Sequence, residues 1–194
     1  MRITVDAQSF IKAFEIAKAC TSGKGPWGLS QVQVTAERGI TLAATDLETA
    51  IEVDLEGGFI DGFGVGFLPA NLPALIKRHK GEVILSYEHD GESARGKLRV
   101  RYGTRERVLE VVHDPLPIPT GDWMEVAAAD GAELAAALKA VLPAAAKDDS
   151  RPVLRRVHLD CNRHRVQLTA ADGFIMGRMS VPASIREDGA HLIT

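Results

Sequence analysis

Leu42-Ala43-Ala44-Thr45-Asp46 returns 126 residues later as Leu168-Thr169-Ala170-Ala171-Asp172. Both stretches are short and largely apolar, and both end on a turn-forming aspartate, as a strand entering a tight turn does. A second pair of landmarks keeps almost the same spacing. Asp6 and Asp130 stand 124 residues apart, each directly before a stretch of helical periodicity, where Asp serves as an N-cap. Asp130 with Glu133 also has the spacing of a capping box. In the first helix, over 7–20, Phe10, Ala13, Phe14, Ala17 and Cys20 share one face. Gln8, Lys12, Glu15 and Lys18 share the other, with Ile11 as the exception. A further helix over 70–80 falls about halfway between the two caps, with prolines near its first turn and Gly81 closing it. The third runs over 131–147, and Pro143 kinks it or ends it early. The chain thus reads as an α+β protein built from three copies of a β-α-β-β-β unit of about sixty residues.

Alternation places the remaining strands. The first unit has them over 1–5, 29–36, 40–45 and 50–55, with Arg38-Gly39 as a turn. The second follows a flexible glycine-rich link, 57–66, with a strand ending at Phe67-Leu68. It continues over 83–87, 97–102 and 105–112, turning at His89-Asp90-Gly91 and Gly103-Thr104. Asp114-Pro115-Leu116-Pro117-Ile118-Pro119 is a stiff, extended linker. The third unit has strands over 123–128, 154–160, 165–170 and 174–181, and His191-Leu192-Ile193-Thr194 reads as the first strand of a fourth. Two units make one domain over 1–118, and the third opens an incomplete second domain over 119–194. Strand edges of this length need pairing. The expectation is a fragment, or a chain that depends on partners to complete its second domain.

With 194 residues, 45% hydrophobic and 25% charged, the composition is that of a folded globular protein. No apolar run approaches the roughly 20 residues that span a bilayer. Met1-Arg2-Ile3-Thr4-Val5-Asp6 contains no signal-peptide core, so a cytoplasmic location without a membrane partner is expected. Cys20 and Cys161 cannot build a disulfide framework. Aromatic residues, at 5%, are too few for a single-strand stacking platform. The net charge of −3 argues against nucleic acid, but its distribution does not. The three helical stretches carry Lys12, Lys18, Lys77, Arg78, Lys80, Lys139 and Lys147 against Glu15 and Glu133, a net +5. The remainder holds 16 basic and 24 acidic residues, a net −8. Lys and Arg solvate any helix, which is the plainer account; the alternative is a basic helical surface for a polyanion.

The order Met1-Arg2-Ile3-Thr4-Val5, Thr41-Leu42-Ala43-Ala44-Thr45-Asp46-Leu47-Glu48, Phe67-Leu68-Pro69-Ala70 resembles the beta sliding clamp of bacterial DNA polymerase III. Residues 151–159 followed by Ala171-Asp172-Gly173 resemble the second domain of the same family, and the likeness runs from residue 1 to about 186. The resemblance implies a DNA-clamp fold, with helices 7–20 and 70–80 side by side on one face of a curved antiparallel sheet. It implies a homodimeric ring around duplex DNA that tethers the replicative polymerase as a processivity factor. Clamp loader subunits and polymerase would dock through a short peptide motif. A positive tunnel wall would hold phosphates without reading sequence, and no base-reading motif is present.

By the same resemblance, Lys24, Lys147 and Arg151 stand at DNA-facing loops, and the helical cations Lys12, Lys18, Lys77, Arg78, Lys80 and Lys139 would line the tunnel. Pro152 and Val153 replace a pair of tyrosines common in the family at that loop. The peptide cleft maps onto Leu154, Gly173, Phe174, Ile175 and Met176, where Phe-Ile-Met replaces the family's His-Arg-Leu and makes the pocket greasier. Read without the resemblance, those residues are ordinary core strand. A second functional reading is a truncated, clamp-like adaptor that binds clamp partners without encircling DNA. A compact body of 194 residues has a radius of gyration of about 16 Å and does not surround a duplex alone.

Competing chemistry is thin. His158-x-Asp160-Cys161-x-x-His164 holds metal-ligand types, but alternation sets Cys161 opposite His158 and Asp160, and no second cluster completes four ligands. Gly62-Phe63-Gly64-Val65-Gly66 lacks the spacing of a phosphate loop. Glu88-His89-Asp90 imitates acid–base machinery on an exposed hairpin tip. Lys97, Arg99 and Arg101 share one strand face; a solvated outer surface is the plain account, and a joint between subunits is what the resemblance implies. No nucleophile elbow or triad order appears. An enzyme is not expected, nor a cofactor or metal.

Overall fold

The computed structural model describes all residues except 23–26, 48, 92, 117–124, 149 and 194. The chain divides into two compact units, Met1–Thr120 and Gly121–Thr194. The first contains β1 (Arg2–Asp6), α1 (Ala7–Lys18), β2 (Gln31–Ala36), β3 (Ile40–Thr45), β4 (Ala50–Leu55), β5 (Phe59–Gly62) and β6 (Gly64–Pro69). It continues with α2 (Leu72–Ile76), β7 (Glu82–Glu88), β8 (Arg95–Tyr102) and β9 (Arg105–Val112). The strands form two sheets, β4-β3-β2-β6 and β5-β1-β7-β8-β9, paired antiparallel throughout.

Each half of this unit lends its first strand to the other half's sheet. β6 opens the second half but pairs with β2, Val32 opposite Leu68. β1 opens the first half but pairs with β7, Ile3 opposite Leu85. One core therefore serves both halves. The α1 face expected from periodicity is buried through Phe10, Ala13, Phe14 and Ala17, together with Leu72 and Ile76 of α2 and the inner faces of both sheets. Phe10 and Phe14 meet at 5.8 Å between ring centroids.

The second unit repeats the first half. It has β10 (Ala127–Ala129), α3 (Gly131–Val141), β11 (Val157–Asn162), β12 (Arg165–Ala171), β13 (Met176–Ile185) and β14 (Gly189–Ile193), in sheet order β10-β13-β12-β11-β14. β14 lies on β11 as β6 lies on β2. β13 does the work of two strands: its first part pairs with β12 and its last three residues with β10, as β4 and β5 pair with β3 and β1.

The repeat extends to single hydrogen bonds. The Asp6 carboxylate accepts from the Gln8 and Ser9 amides at 3.1 and 2.9 Å; that of Asp130 accepts from Ala132 and Glu133 at 3.0 and 2.9 Å. The turn after β3 joins the Asp46 amide to the Thr49 carbonyl, and the Thr49 amide back to the Asp46 carboxylate. The turn after β12 joins Asp172 and Ile175 in the same two ways. Its second residue is Gly173 at φ +97°, where the first copy forces Leu47 to φ +78°.

Several expected elements differ. The link 57–66 is not flexible: it holds β5 and the first half of β6, because Ile60 packs on the core beside Ile3. Helix 70–80 shrinks to Leu72–Ile76. The His79 amide folds back to the Ile76 carbonyl at 2.8 Å, and the Gln8 side-chain amide takes the His79 carbonyl at 3.0 Å, so the chain turns off. Helix 7–20 ends at Lys18. Helix 131–147 ends at Val141 and passes into a 3-10 turn, Leu142–Ala144, around Pro143. The strand expected over 154–160 begins only at Val157, since Pro152 starts a 3-10 turn, Pro152–Arg155. Phe174 and Ile175 precede β13 and belong to the Asp172 turn. Of the strand expected over 123–128, residues 123 and 124 lie outside the described residues, and β10 covers Ala127–Ala129.

Candidate nucleic-acid and partner-docking surfaces

The shorter helices move the basic charge. α2 itself carries no Lys or Arg; Lys77, Arg78 and Lys80 stand on the turn that follows it. Lys147 likewise lies beyond α3, which keeps Lys139 in its last turn. Lys12, Lys77, Lys139 and Arg151 are exposed. α1 and α2 lie side by side, as expected, and enclose a shallow groove of about 700 Å³. Lys18 and Lys77 line it together with Ile11, Glu15, Asn71 and Pro73. Lys18 reaches Glu15 at 3.7 Å, an exposed pair one helical turn apart that contributes little to stability. Among the sequence-selected cations, the structure therefore brings Lys18 and Lys77 into one groove, with Lys12, Arg78 and Lys80 on the same two elements or the adjoining turn. Lys139, Lys147 and Arg151 belong to the second unit. Lys24 lies outside the described residues.

The second surface is apolar and lies in the second unit. Asp172 organises it: its carboxylate accepts from the amides of Phe174 and Ile175, both at 2.8 Å. Those two bonds, Ile175 foremost, hold the Asp172 carboxyl below its ordinary range. The turn projects Phe174, 96% exposed, with Ile175 at 56% and Met176 at 62%. Leu154 is half-buried, not a strand residue as expected, and its carbonyl accepts from the Ala146 amide at 2.9 Å. Gly173 faces the Arg151 guanidinium, which would stand 3.1 Å from any Cβ placed there. Sequence reading set Val153 at the DNA-facing loop and not at this surface, though it is 65% exposed on the 3-10 turn beside Leu154; it missed exposed Leu142 at the end of α3. Both sit in turns, where periodicity gives no signal. Gly177 explains how α3 comes so close: a Cβ there would stand 3.2 Å from the Val141 backbone.

The other candidate chemistries resolve into structure. Cys161 is buried in the second core, and among the described residues no three of His, Cys, Asp and Glu gather to hold a metal. Burial, foremost, raises the Cys161 thiol above its ordinary pKa. His89 is not on an exposed tip: its side chain is 15% exposed. Arg99 and Arg101 both reach Glu106, at 2.7 and 3.3 Å, and Arg95 reaches Glu110 at 3.6 Å. The β8 cations thus form a laced, solvent-facing surface. No helix among the described residues is long and apolar enough to cross a membrane.

Interlocked halves with exchanged first strands, followed by a second unit that repeats the pattern, define the fold of the DNA sliding clamps. Structures that match the chain along its whole length are of this class. The beta subunit of DNA polymerase III from Thermotoga maritima matches 100% of the chain at 22% identity, with a TM-score of 0.82. The corresponding subunit from Pseudomonas aeruginosa gives 21% and 0.76, and the DNA polymerase sliding clamp of Bacillus subtilis 17% and 0.80. The chain spans about half of each, 53% of their length. No protein-family model matches the sequence, and no curated protein matches it.

Proposed function

We propose that the chain forms part of the wall of a sliding clamp, a non-enzymatic ring that encircles duplex DNA and tethers a replicative polymerase. The observation that carries this reading is the clamp fold matched over the whole chain, with α1 and α2 side by side and cations on and just after them. Lys12, Lys18, Lys77, Arg78 and Lys80, with Lys139, Lys147 and Arg151 from the second unit, bind phosphates. Such binding carries no sequence information, which suits sliding. Among the described residues β9 is a sheet edge, eight residues long, a natural place for another subunit to extend the sheet and close a ring. Phe174, Ile175, Met176, Leu154 and Gly173 form the part of a docking site that accepts an apolar peptide from polymerase or clamp loader subunits. The protein works in the cytoplasm and assembles as a homodimeric ring.

The test is duplex binding by fluorescence anisotropy across a salt series, comparing wild type with the triple variant Lys12→Ala, Lys77→Ala, Lys80→Ala. Wild type binds scrambled and unscrambled duplexes alike. The variant flattens the dependence of log K on log salt by about 0.9 for each phosphate that is no longer neutralised. An unchanged slope, or a strong preference for one sequence, contradicts the proposal. Peptide docking that persists without any duplex binding would favour the adaptor reading.

A further inference from the structure

Three aromatic side chains of the first unit stand in a ladder where the chain leaves β9. Tyr87, at the end of β7, is buried, and its hydroxyl bonds His113 Nδ1 at 2.7 Å. The His113 ring lies flat on that of His89, 3.6 Å between centroids and 8° between planes. Phe67 closes the far side edge-on, 5.1 Å from His113. The ladder has room only because two strands supply glycine beside Tyr87. A Cβ on Gly66 would meet the Tyr87 side chain at 3.0 Å, and one on Gly96 would collide with the hydroxyl end of its ring.

The rungs tie separate segments together. His89 belongs to the β7–β8 loop and is fixed there through both nitrogens. The Gly91 amide donates to Nδ1 at 3.1 Å, and Nε2 meets the Ser93 carbonyl at 2.6 Å. This pattern fits the neutral Nε2–H tautomer. His113 begins the strap 113–116, which carries the chain from β9 toward the second unit. Its amide donates to the Ala94 carbonyl at 2.9 Å. Farther along, the Leu116 amide donates to the Gln33 side-chain carbonyl at 3.2 Å, and Leu116 is buried.

We propose that the Tyr87–His113–His89 ladder is an acid-sensitive latch that holds the strap 113–116 on the first unit while both imidazoles are neutral. Two imidazolium rings do not stack at 3.6 Å without strong repulsion. Burial, foremost, and the charge of His89 already keep the His113 imidazole below its ordinary pKa, opposed by Asp114. Among the described residues, three other charged or titratable groups stand at the ladder. They are Asp90 at 3.9 Å from His89 Nε2, the Tyr87 phenol, pushed up to about 12 by burial, and the Met1 ammonium on the Tyr87 carbonyl. The sign follows. The unfolded or released strap takes up protons more readily than the latched one, so the latch is fully closed above about pH 6.5 and weakens as pH falls below it. Release adds four residues, up to about 14 Å of extended chain, to the segment leading into the second unit. This inference is independent of the clamp reading.

The experiment is nuclear magnetic resonance on the full 194-residue chain from about pH 8 to about pH 5, the range in which histidine titrates. It follows the imidazole carbon-bound protons together with amide hydrogen exchange. The expected result is a coupled titration of His89 and His113. The His113 and Leu116 amides should exchange at least tenfold faster at the acid end, after correction for intrinsic rates, while Leu85 and Val100 in the same unit hold. His89→Phe keeps a ring on the stack and removes one charge but not the burial of His113, so the same pH change should then release the strap measurably less than in wild type. Independent titration of the two histidines with unchanged strap exchange overturns the proposal. So does an equal acceleration in wild type and His89→Phe.

Discussion

Replacing Phe174 with alanine separates a docking residue from a folding residue. The ring is 96% exposed and sits on a turn whose hydrogen bonds come from the backbone and Asp172. Truncation therefore removes almost no burial, and the free energy of unfolding should change by less than about 0.5 kcal/mol. The binding effect should be far larger. An exposed aromatic ring that becomes a central anchor on docking costs about 2 kcal/mol or more when truncated, a loss of about thirtyfold in Kd. Fluorescence polarisation with a labelled peptide from a clamp-binding protein measures the ratio of wild-type to variant Kd, and urea unfolding measures stability. Lys139→Ala, on exposed α3, serves as the control and should leave the peptide Kd unchanged. An unchanged Kd in Phe174→Ala would refute the docking assignment. A loss of stability above about 1 kcal/mol would show that the ring packs within the fold.

Two further outcomes follow from the geometry. The Asp172 carboxyl lies below its ordinary value of 3.8, so its contribution to the turn is present above that pH and is lost as pH falls through the lowered value. The Phe174 and Ile175 amides should stay protected at about pH 4 and lose protection only in stronger acid; loss already at about pH 5 would contradict those bonds. Gly96→Ala forces the Tyr87 ring aside and should destabilise the chain by about 1–3 kcal/mol in urea unfolding. Gly39→Ala, with nothing within 4 Å of the new methyl, should stay within about 0.5 kcal/mol; equal effects would refute the packing around Tyr87.

The sequence carried the repeat because its markers are local. An aspartate that caps a helix or closes a turn acts on amides two or three residues away, so Asp6, Asp130, Asp46 and Asp172 are readable without knowing the fold. The exchange of β1 and β6 between half-sheets is long-range and leaves no such mark. β5 was hidden because glycines at 57, 58 and 62 resemble a linker, whereas the burial of Ile60 that makes it a strand is decided by β1. α2 was overestimated because the chain turns off after Ile76, where His79 is held by Gln8, 71 residues earlier. The proposed docking surface was legible only through the family resemblance: without it, Leu154, Gly173, Phe174, Ile175 and Met176 read as ordinary core strand. Leu142 and Val153 lie in 3-10 turns that contain Pro143 and Pro152, where apolar spacing has no period to reveal them.

The central claim is that duplex DNA lies against the α1–α2 side of the first unit. The β8 surface also carries four cations, Arg95, Lys97, Arg99 and Arg101, so the claim has a direct competitor. Amide and side-chain shift mapping on the isotope-labelled chain, titrated with a short duplex at low salt, decides between them. The account predicts perturbation at Lys12, Lys18, Lys77, Arg78 and Lys80, with β8 unmoved because Arg95, Arg99 and Arg101 already hold carboxylates. Shifts centred on Arg95, Lys97, Arg99 and Arg101, with the α1–α2 groove silent, would contradict it.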